Sequence, residues 1–268
     1  MIESGAHEQP DVKSCCATVY GSEAARFLLG ESFHPGGIEL TLELAGALAL
    51  TADSVVLDVA SGRGASAFAI AERFGARVVG VDLSAVNVAD ATREASARGL
   101  AERVSFVLGD AEELPFEAGS FDAIVCECAF CTFPNKAQAA SEFARVLAPG
   151  GRVGMSDLTR VREPLPELDS LLAWIACIGD AQPVEEYAAW LRQAGFSIER
   201  TVDRSDALRA MVKQIRGKVL LAEIMIGLKK LALPGFDPTE AKALASAAES
   251  AVQGAKLGYA LVVAELPR

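Results

Sequence analysis

Residues 55–83 read VVLDVASGRGASAFAIAERFGARVVGVDL. The first five form an apolar, β-branched run around one carboxylate, Asp58, the pattern of a strand buried on both faces. Gly62 and Gly64 break that pattern, and residues 65–74 resume it at helical spacing. A second β-branched run, 77–81, ends at Asp82. This is one βαβ unit, with a glycine turn after its first strand and a carboxylate at the tip of its second. The backbone there must turn tightly and admit a ligand where a Cβ would clash. A carboxylate roughly 20 residues after the turn can accept from both hydroxyls of a ribose. The unit predicts a site for an adenosine-containing cofactor.

Gly62, Gly64 and Ala67 satisfy G-x-G-x-x-A, which by itself also admits a nicotinamide dinucleotide. Three features favour S-adenosylmethionine instead. Asp58 immediately precedes the glycine turn, where no pyrophosphate needs the helix N-terminus and a carboxylate can hold the loop and a cationic methionine end. Gly109-Asp110-Ala111-Glu112 follows a third strand over 104–108 and offers a carboxylate to an adenine amino group. Phe121-Asp122-Ala123-Ile124-Val125 then opens a fourth strand, and Leu147-Ala148-Pro149-Gly150-Gly151 precedes a fifth. Over residues 50–160 the chain resembles the class I S-adenosylmethionine-dependent methyltransferases, with Ala60 where many members carry the first glycine of the loop. The resemblance implies an α/β fold on a Rossmann-like, mostly parallel sheet whose last strand is antiparallel. It implies cofactor contacts from Asp58, Ala60, Gly62, Gly64, Asp82, Leu83, Asp110, Ala111 and Glu127.

Composition narrows the partners. The 268 residues are 51% hydrophobic and 23% charged, a globular balance, and the formal net charge is −11. Phosphate backbones need a basic surface, so nucleic acid is not the expected substrate. The first 14 residues have no apolar core, and the apolar stretch 219–233 is short and carries Glu223, Lys229 and Lys230. Neither a signal peptide nor a membrane span is expected, and the predicted location is cytoplasmic. The sequence leaves the oligomeric state open.

Along the chain, helical spacing over 19–29 and 38–50, separated by the turn His34-Pro35-Gly36-Gly37, predicts an N-terminal helical cap over residues 1–50. His34, one of two histidines, reads first as a residue packed locally in that turn and second as a catalytic base. Strands and helices alternate from residue 55 to 157, which requires a parallel sheet covered on both faces. A helix over 134–147, a strand over 152–156, a helix over 184–194 and a strand over 196–202 continue the cofactor-binding domain, assigned to 51–204 and 257–268. Residues 205–256 are Ala/Leu-rich, broken at Pro234-Gly235 and restarted by the helix-start signal Asp237-Pro238-Thr239-Glu240. They predict a helical insertion before a closing strand over 259–266.

Six cysteines in such a chain do not read as a disulfide scaffold. They cluster as Cys15 and Cys16, then Cys126, Cys128 and Cys131, then Cys177. Cys126 continues a strand and reads as core. The absence of nearby histidine and of paired C-x-x-C motifs argues against structural zinc, and no metal site is expected. The stretch Cys128-Ala129-Phe130-Cys131-Thr132-Phe133-Pro134-Asn135-Lys136 resembles the Asn-Cys-Val-x-x-Leu-x-Pro-Asp-Lys stretch of arsenite methyltransferases. Cys15 and Cys16 before the first strand, and Cys177 ahead of Ala194-Gly195-Phe196, match that family in order and type, while Glu127 stands where asparagine is common. This resemblance implies thiolate ligands from Cys16 (or Cys15), Cys128 and Cys177 for a trivalent metalloid, arriving free or as a glutathione conjugate. Thiolates suit such soft centres. A methyltransferase for an organic small molecule with structural cysteines is the alternative, and a cysteine-based sensor with a vestigial cofactor site is a third reading.

Overall fold

The computed structural model describes residues 18–20, 22–30, 32–168, 177–233 and 236–268. Two short helices, α1 (Glu23–Leu29) and α2 (Gly37–Gly46), precede the βαβ unit β1 (Val55–Val59), α3 (Ala65–Phe74) and β2 (Arg77–Asp82). Helix α4 (Ala85–Ala97), β3 (Val104–Leu108), β4 (Phe121–Glu127), α5 (Lys136–Val146) and β5 (Leu147–Arg160) complete the parallel part. Then come α6 (Val184–Gln193), β6 (Ser197–Asp203), α7 (Ser205–Gly227), α8 (Pro238–Gln253) and β7 (Leu257–Glu265). The sheet order is β3-β2-β1-β4-β5-β7-β6, with β7 antiparallel to both neighbours. The parallel part is what the alternation predicts, and the antiparallel last strand is what the resemblance to class I methyltransferases implies.

The central strands are buried because both faces are covered by helices. Val56, Leu57 and Val59 of β1 and Ile124 and Val125 of β4 have no accessible surface. Register aligns the strand tips: Val59 lies opposite Val81 and Cys126, and Glu127 opposite Ser156. The carboxylates Asp58 and Glu127 and the β2-terminal Asp82 therefore emerge at one end of the sheet, where open α/β folds bind ligands.

Several boundaries differ from the sequence expectation for identifiable reasons. The predicted helix over 19–29 is interrupted: 18–20 are helical, and α1 begins anew where the Ser22 hydroxyl accepts from the Ala25 N–H at 3.1 Å. Helix α2 stops at Gly46, and Ala49 takes a left-handed φ of 54° as the chain turns toward β1. Strand β5 runs well beyond the predicted 152–156, because β7 pairs with it from Arg152↔Glu265 to Arg160↔Leu257. That partner lies about 100 residues away in sequence, beyond the reach of local pattern. Between β6 and β7, α7 packs on α8, β7 and α1, and Lys218 Nζ donates to the Leu28 carbonyl at 3.0 Å. Most of the apolar stretch 171–178 lies outside the described residues. Among the described residues, no helix is long and apolar enough to cross a membrane.

Candidate active site

The carboxyl ends of β1, β2 and β4 open into a cleft closed on one side by Tyr20, Phe33 and His34 of the N-terminal segment. Its empty volume, counting the open mouth, is about 1060 Å³. Of the residues expected to contact the cofactor, Asp58, Ala60, Gly62, Asp82, Leu83, Asp110, Ala111 and Glu127 line it. Gly64 does not line it, and acts one layer behind. With φ at 84° it starts α3, and a Cβ there would lie 2.4 Å from Cζ of Phe106. The same ring fills the space left by Gly80, so two glycines make room for one phenylalanine behind the loop. Ala60 adopts a left-handed φ of 56°, the conformation a glycine would take more readily.

Asp82 does more than face a ribose. Its Oδ2 accepts from the Gly62 N–H at 2.9 Å, and its Oδ1 accepts from the Ser84 N–H at 2.8 Å and from Asn87 Nδ2 at 3.3 Å. The carboxylate thus clamps the glycine turn to the tip of β2. Burial raises its pKa, and these three bonds oppose the rise. Asp58 is buried, and desolvation, with Glu127 and Asp82 nearby, pushes its carboxyl well up. Asp110 Oδ1 accepts from the Glu112 N–H, and Glu112 Oε1 accepts from the Asn135 N–H that opens α5.

Among the described residues, the buried side-chain polar atoms without a partner are Asp58 Oδ2, Ser61 Oγ, Arg63 Nε, Asn87 Oδ1 and Glu127 Oε1. All five residues line this cleft. Buried polar atoms are ordinarily hydrogen-bonded, and a concentration of exceptions marks where a polar ligand belongs. The set offers acceptors for cationic groups and donors for anionic ones. That fits a ligand carrying a sulfonium, an ammonium and a carboxylate.

The far wall is sulfur. Cys128 follows β4 with a left-handed φ of 51°; its N–H donates to the Ser156 carbonyl at 2.7 Å and it lines the cleft. Cys177, 49 residues later and itself at a φ of 63°, brings its Sγ to 3.1 Å from the Cys128 carbonyl and 3.3 Å from the Tyr20 hydroxyl. Hydrogen bonds from the Cys128 and Cys131 thiols and from Tyr20 outweigh burial and hold the Cys177 thiol well below its usual pKa. The cost appears in the donors. The Cys128 thiol is pushed well up, first by its bond to Cys177 and then by burial, and Cys131 is pushed up by burial and then by Cys177. Asp157, whose Oδ2 accepts from the Cys131 N–H at 2.9 Å, is pushed up to about 7 by burial and by the Cys177 charge. Cys177 is therefore the most acidic thiol of the cluster, and its Sγ donates to the Cys128 carbonyl. Cys126 is wholly buried on β4, and burial raises its thiol. Cys15 and Cys16 lie outside the described residues. Among the described residues, no group of three His, Cys, Asp or Glu side chains is arranged to hold a metal ion.

Sequence reasoning missed several members of the site. His34 does not pack only in its own turn: its Nε2 lies 3.6 Å from Glu127 Oε2, across 93 positions. Thr41, Ser66, Asn87 and Tyr20 carried no sequence signal. Ser61 and Arg63 lie within the glycine turn itself, and that placement could have drawn attention to them.

Fold and cleft together define a class I enzyme site for S-adenosylmethionine. Residues 56–151 match the family described as "Methyltransferase domain". A Streptomyces halstedii protein, methyltransferase GfsG, is 32% identical over 65% of this chain, which spans 63% of that protein. The 27-O-demethylrifamycin SV methyltransferase of Amycolatopsis mediterranei is 29% identical over 90% of this chain and 92% of its own length. The arsenite methyltransferase of Halobacterium salinarum is 34% identical, over 55% of this chain and 38% of its own. A putative sarcosine dimethylglycine methyltransferase from Galdieria sulphuraria superposes with a TM-score of 0.80 at 20% identity, covering 94% of this chain and 98% of that one, a likeness of fold. Residues 56–151 are thus a methyltransferase domain, and the chain as a whole takes the class I methyltransferase fold.

Proposed function

We propose that this enzyme methylates a trivalent metalloid, arsenite or a methylated arsenical, held by cysteine thiolates beside the cofactor. The observation that supports this most strongly is that Cys128 lines the cleft and the buried Cys177 Sγ lies directly behind it, 3.1 Å from its carbonyl. Bound S-adenosylmethionine supplies an electrophilic methyl group on a sulfonium. Asp82, the Gly62 turn and Asp110 hold the adenosine end, and Asp58, Ser61 and Arg63 face the amino-acid end. Cys177 and Cys128 supply two sulfurs and Cys16 or Cys15 the third; each metalloid–sulfur bond forms as a hydroxyl group leaves with the thiol proton as water, or as glutathione leaves when a conjugate is delivered. A metalloid bound this way keeps a lone pair, which is the nucleophile. No proton leaves it, so no general base is needed. Catalysis is then mainly alignment of two bound reactants, which can supply on the order of 7–11 kcal/mol.

The relatives also favour a second reading, methylation of an organic small molecule. The relative aligned over nearly its whole length is named for a rifamycin derivative. Transfer of labelled methyl to arsenite, with glutathione as thiol donor, separates the two. Cys128→Ser and Cys177→Ser replace a soft donor by a hard one of similar volume. Each is expected to keep cofactor affinity and lose arsenite binding and methyl transfer, whereas Cys126→Ser lowers stability and retains activity in the folded fraction. A parent enzyme that neither binds nor methylates arsenite, or thiol variants that match the parent, overturns the proposal.

A further inference from the structure

Glu127 is the one cleft carboxylate built into a network of side chains from three other positions. Its side chain is 4% exposed, at the end of β4. Its Oε2 accepts from the Thr41 hydroxyl at 2.9 Å and the Ser66 hydroxyl at 2.7 Å, and His34 Nε2 stands 3.6 Å away. Its Oε1 is buried and has no partner. One oxygen is tethered and the other has no protein partner, on a residue that lines the cleft.

His34 completes the surroundings of the tethered oxygen: its Nδ1 lies 3.2 Å from the Pro35 carbonyl, and its Nε2 stands 3.3 Å from the Thr41 hydroxyl oxygen and 3.6 Å from Glu127 Oε2. The Thr41 and Ser66 hydroxyls both donate to that oxygen and fix the orientation of the side chain.

Methyl donor and methylated-off product differ at one place. The donor's sulfonium is charged; the product's thioether is neutral; adenosine, ammonium and carboxylate are common to both. Contacts from Asp82, Asp110 and the glycine loop therefore bind the two alike, whereas a carboxylate near the sulfur attracts the sulfonium and not the thioether. We propose that Glu127 makes this cleft prefer the charged methyl donor over the neutral product, and that Thr41 and Ser66 are positioning residues that hold its side chain in place. The inference rests on the cofactor assignment and is independent of the methyl acceptor.

Calorimetric titration with S-adenosylmethionine and with S-adenosylhomocysteine, in the absence of any acceptor, tests it. The readout is the ratio of the two dissociation constants, which a merely structural role would leave unchanged. Glu127→Gln keeps shape and removes charge. It is expected to weaken the donor by about tenfold or more while the product stays within about threefold. Ser66→Ala, which removes one of the two hydroxyl donors that hold the side chain, is expected to narrow the ratio in the same direction by a smaller factor, and it carries the test if Glu127→Gln does not fold. An unchanged ratio in the folded variants overturns the proposal, as does an equal loss for both ligands. Failure of arsenite methylation would not touch either outcome, so the two proposals fall separately.

Discussion

Replacing Asp82 with asparagine tests the organisation of the cofactor half. The carboxylate takes three protein hydrogen bonds, two of them from backbone N–H groups at 2.8 and 2.9 Å on its two different oxygens. Asparagine has the same shape but one acceptor. Whichever way the amide turns, its NH₂ faces either the Gly62 or the Ser84 N–H, donor against donor. A hydrogen bond to a charged group contributes roughly 1.5–3 kcal/mol, and the N–H left behind loses its partner as well. Both bonds exist before any ligand binds, so part of the loss falls on stability: a few degrees in Tm, at about 2–4 °C per kcal/mol for a chain of this size. The remainder falls on binding, because the Gly62 turn must be held in place and a ribose acceptor is lost. About 1.5–3 kcal/mol there corresponds to roughly 10- to 150-fold in S-adenosylmethionine affinity. Differential scanning calorimetry and isothermal titration measure the two shares. An Asp82→Asn protein that melts within a degree of the parent and binds within threefold would refute both the clamp and the cofactor contact.

Gly64→Ala places a Cβ 2.4 Å from the Phe106 ring at a φ of 84°. Left-handed strain of about 1–2 kcal/mol adds to an overpacking cost of about 1–3, and chemical denaturation should show a loss of that order; a wild-type midpoint would contradict the packing. Asp157→Asn addresses pH. The native carboxyl titrates near 7 against an ordinary 3.8, so the folded protein holds a proton that the unfolded chain releases between those values. The parent should lose stability relative to the variant as pH rises from about 4 to about 7, by about 4 kcal/mol at most, with no further change above. Urea midpoints across that range that run parallel for parent and variant would contradict it.

Residues 55–83 determined the architecture without help, because the signals in them are local. A run of apolar residues, a glycine turn and a terminal carboxylate constrain their own backbone, and alternation along the chain then forces a parallel sheet. Most of the residues expected to contact the cofactor do line the cleft, and they were legible for the same reason: each sits at a strand tip or in the turn that follows it. The side chains that complete the site were decided by the tertiary structure. His34 has no sequence relation to Glu127, nor Tyr20 to Cys177, nor Leu257–Glu265 to the far end of β5, until the sheet brings them together. Cys126, Cys128 and Cys131 are five positions apart in sequence and nearly alike in type, yet one is core, one lines the cleft and one braces Asp157. Sequence supplies the thiols. Burial and the donors around each sulfur decide which one becomes the anion, and those are properties of packing.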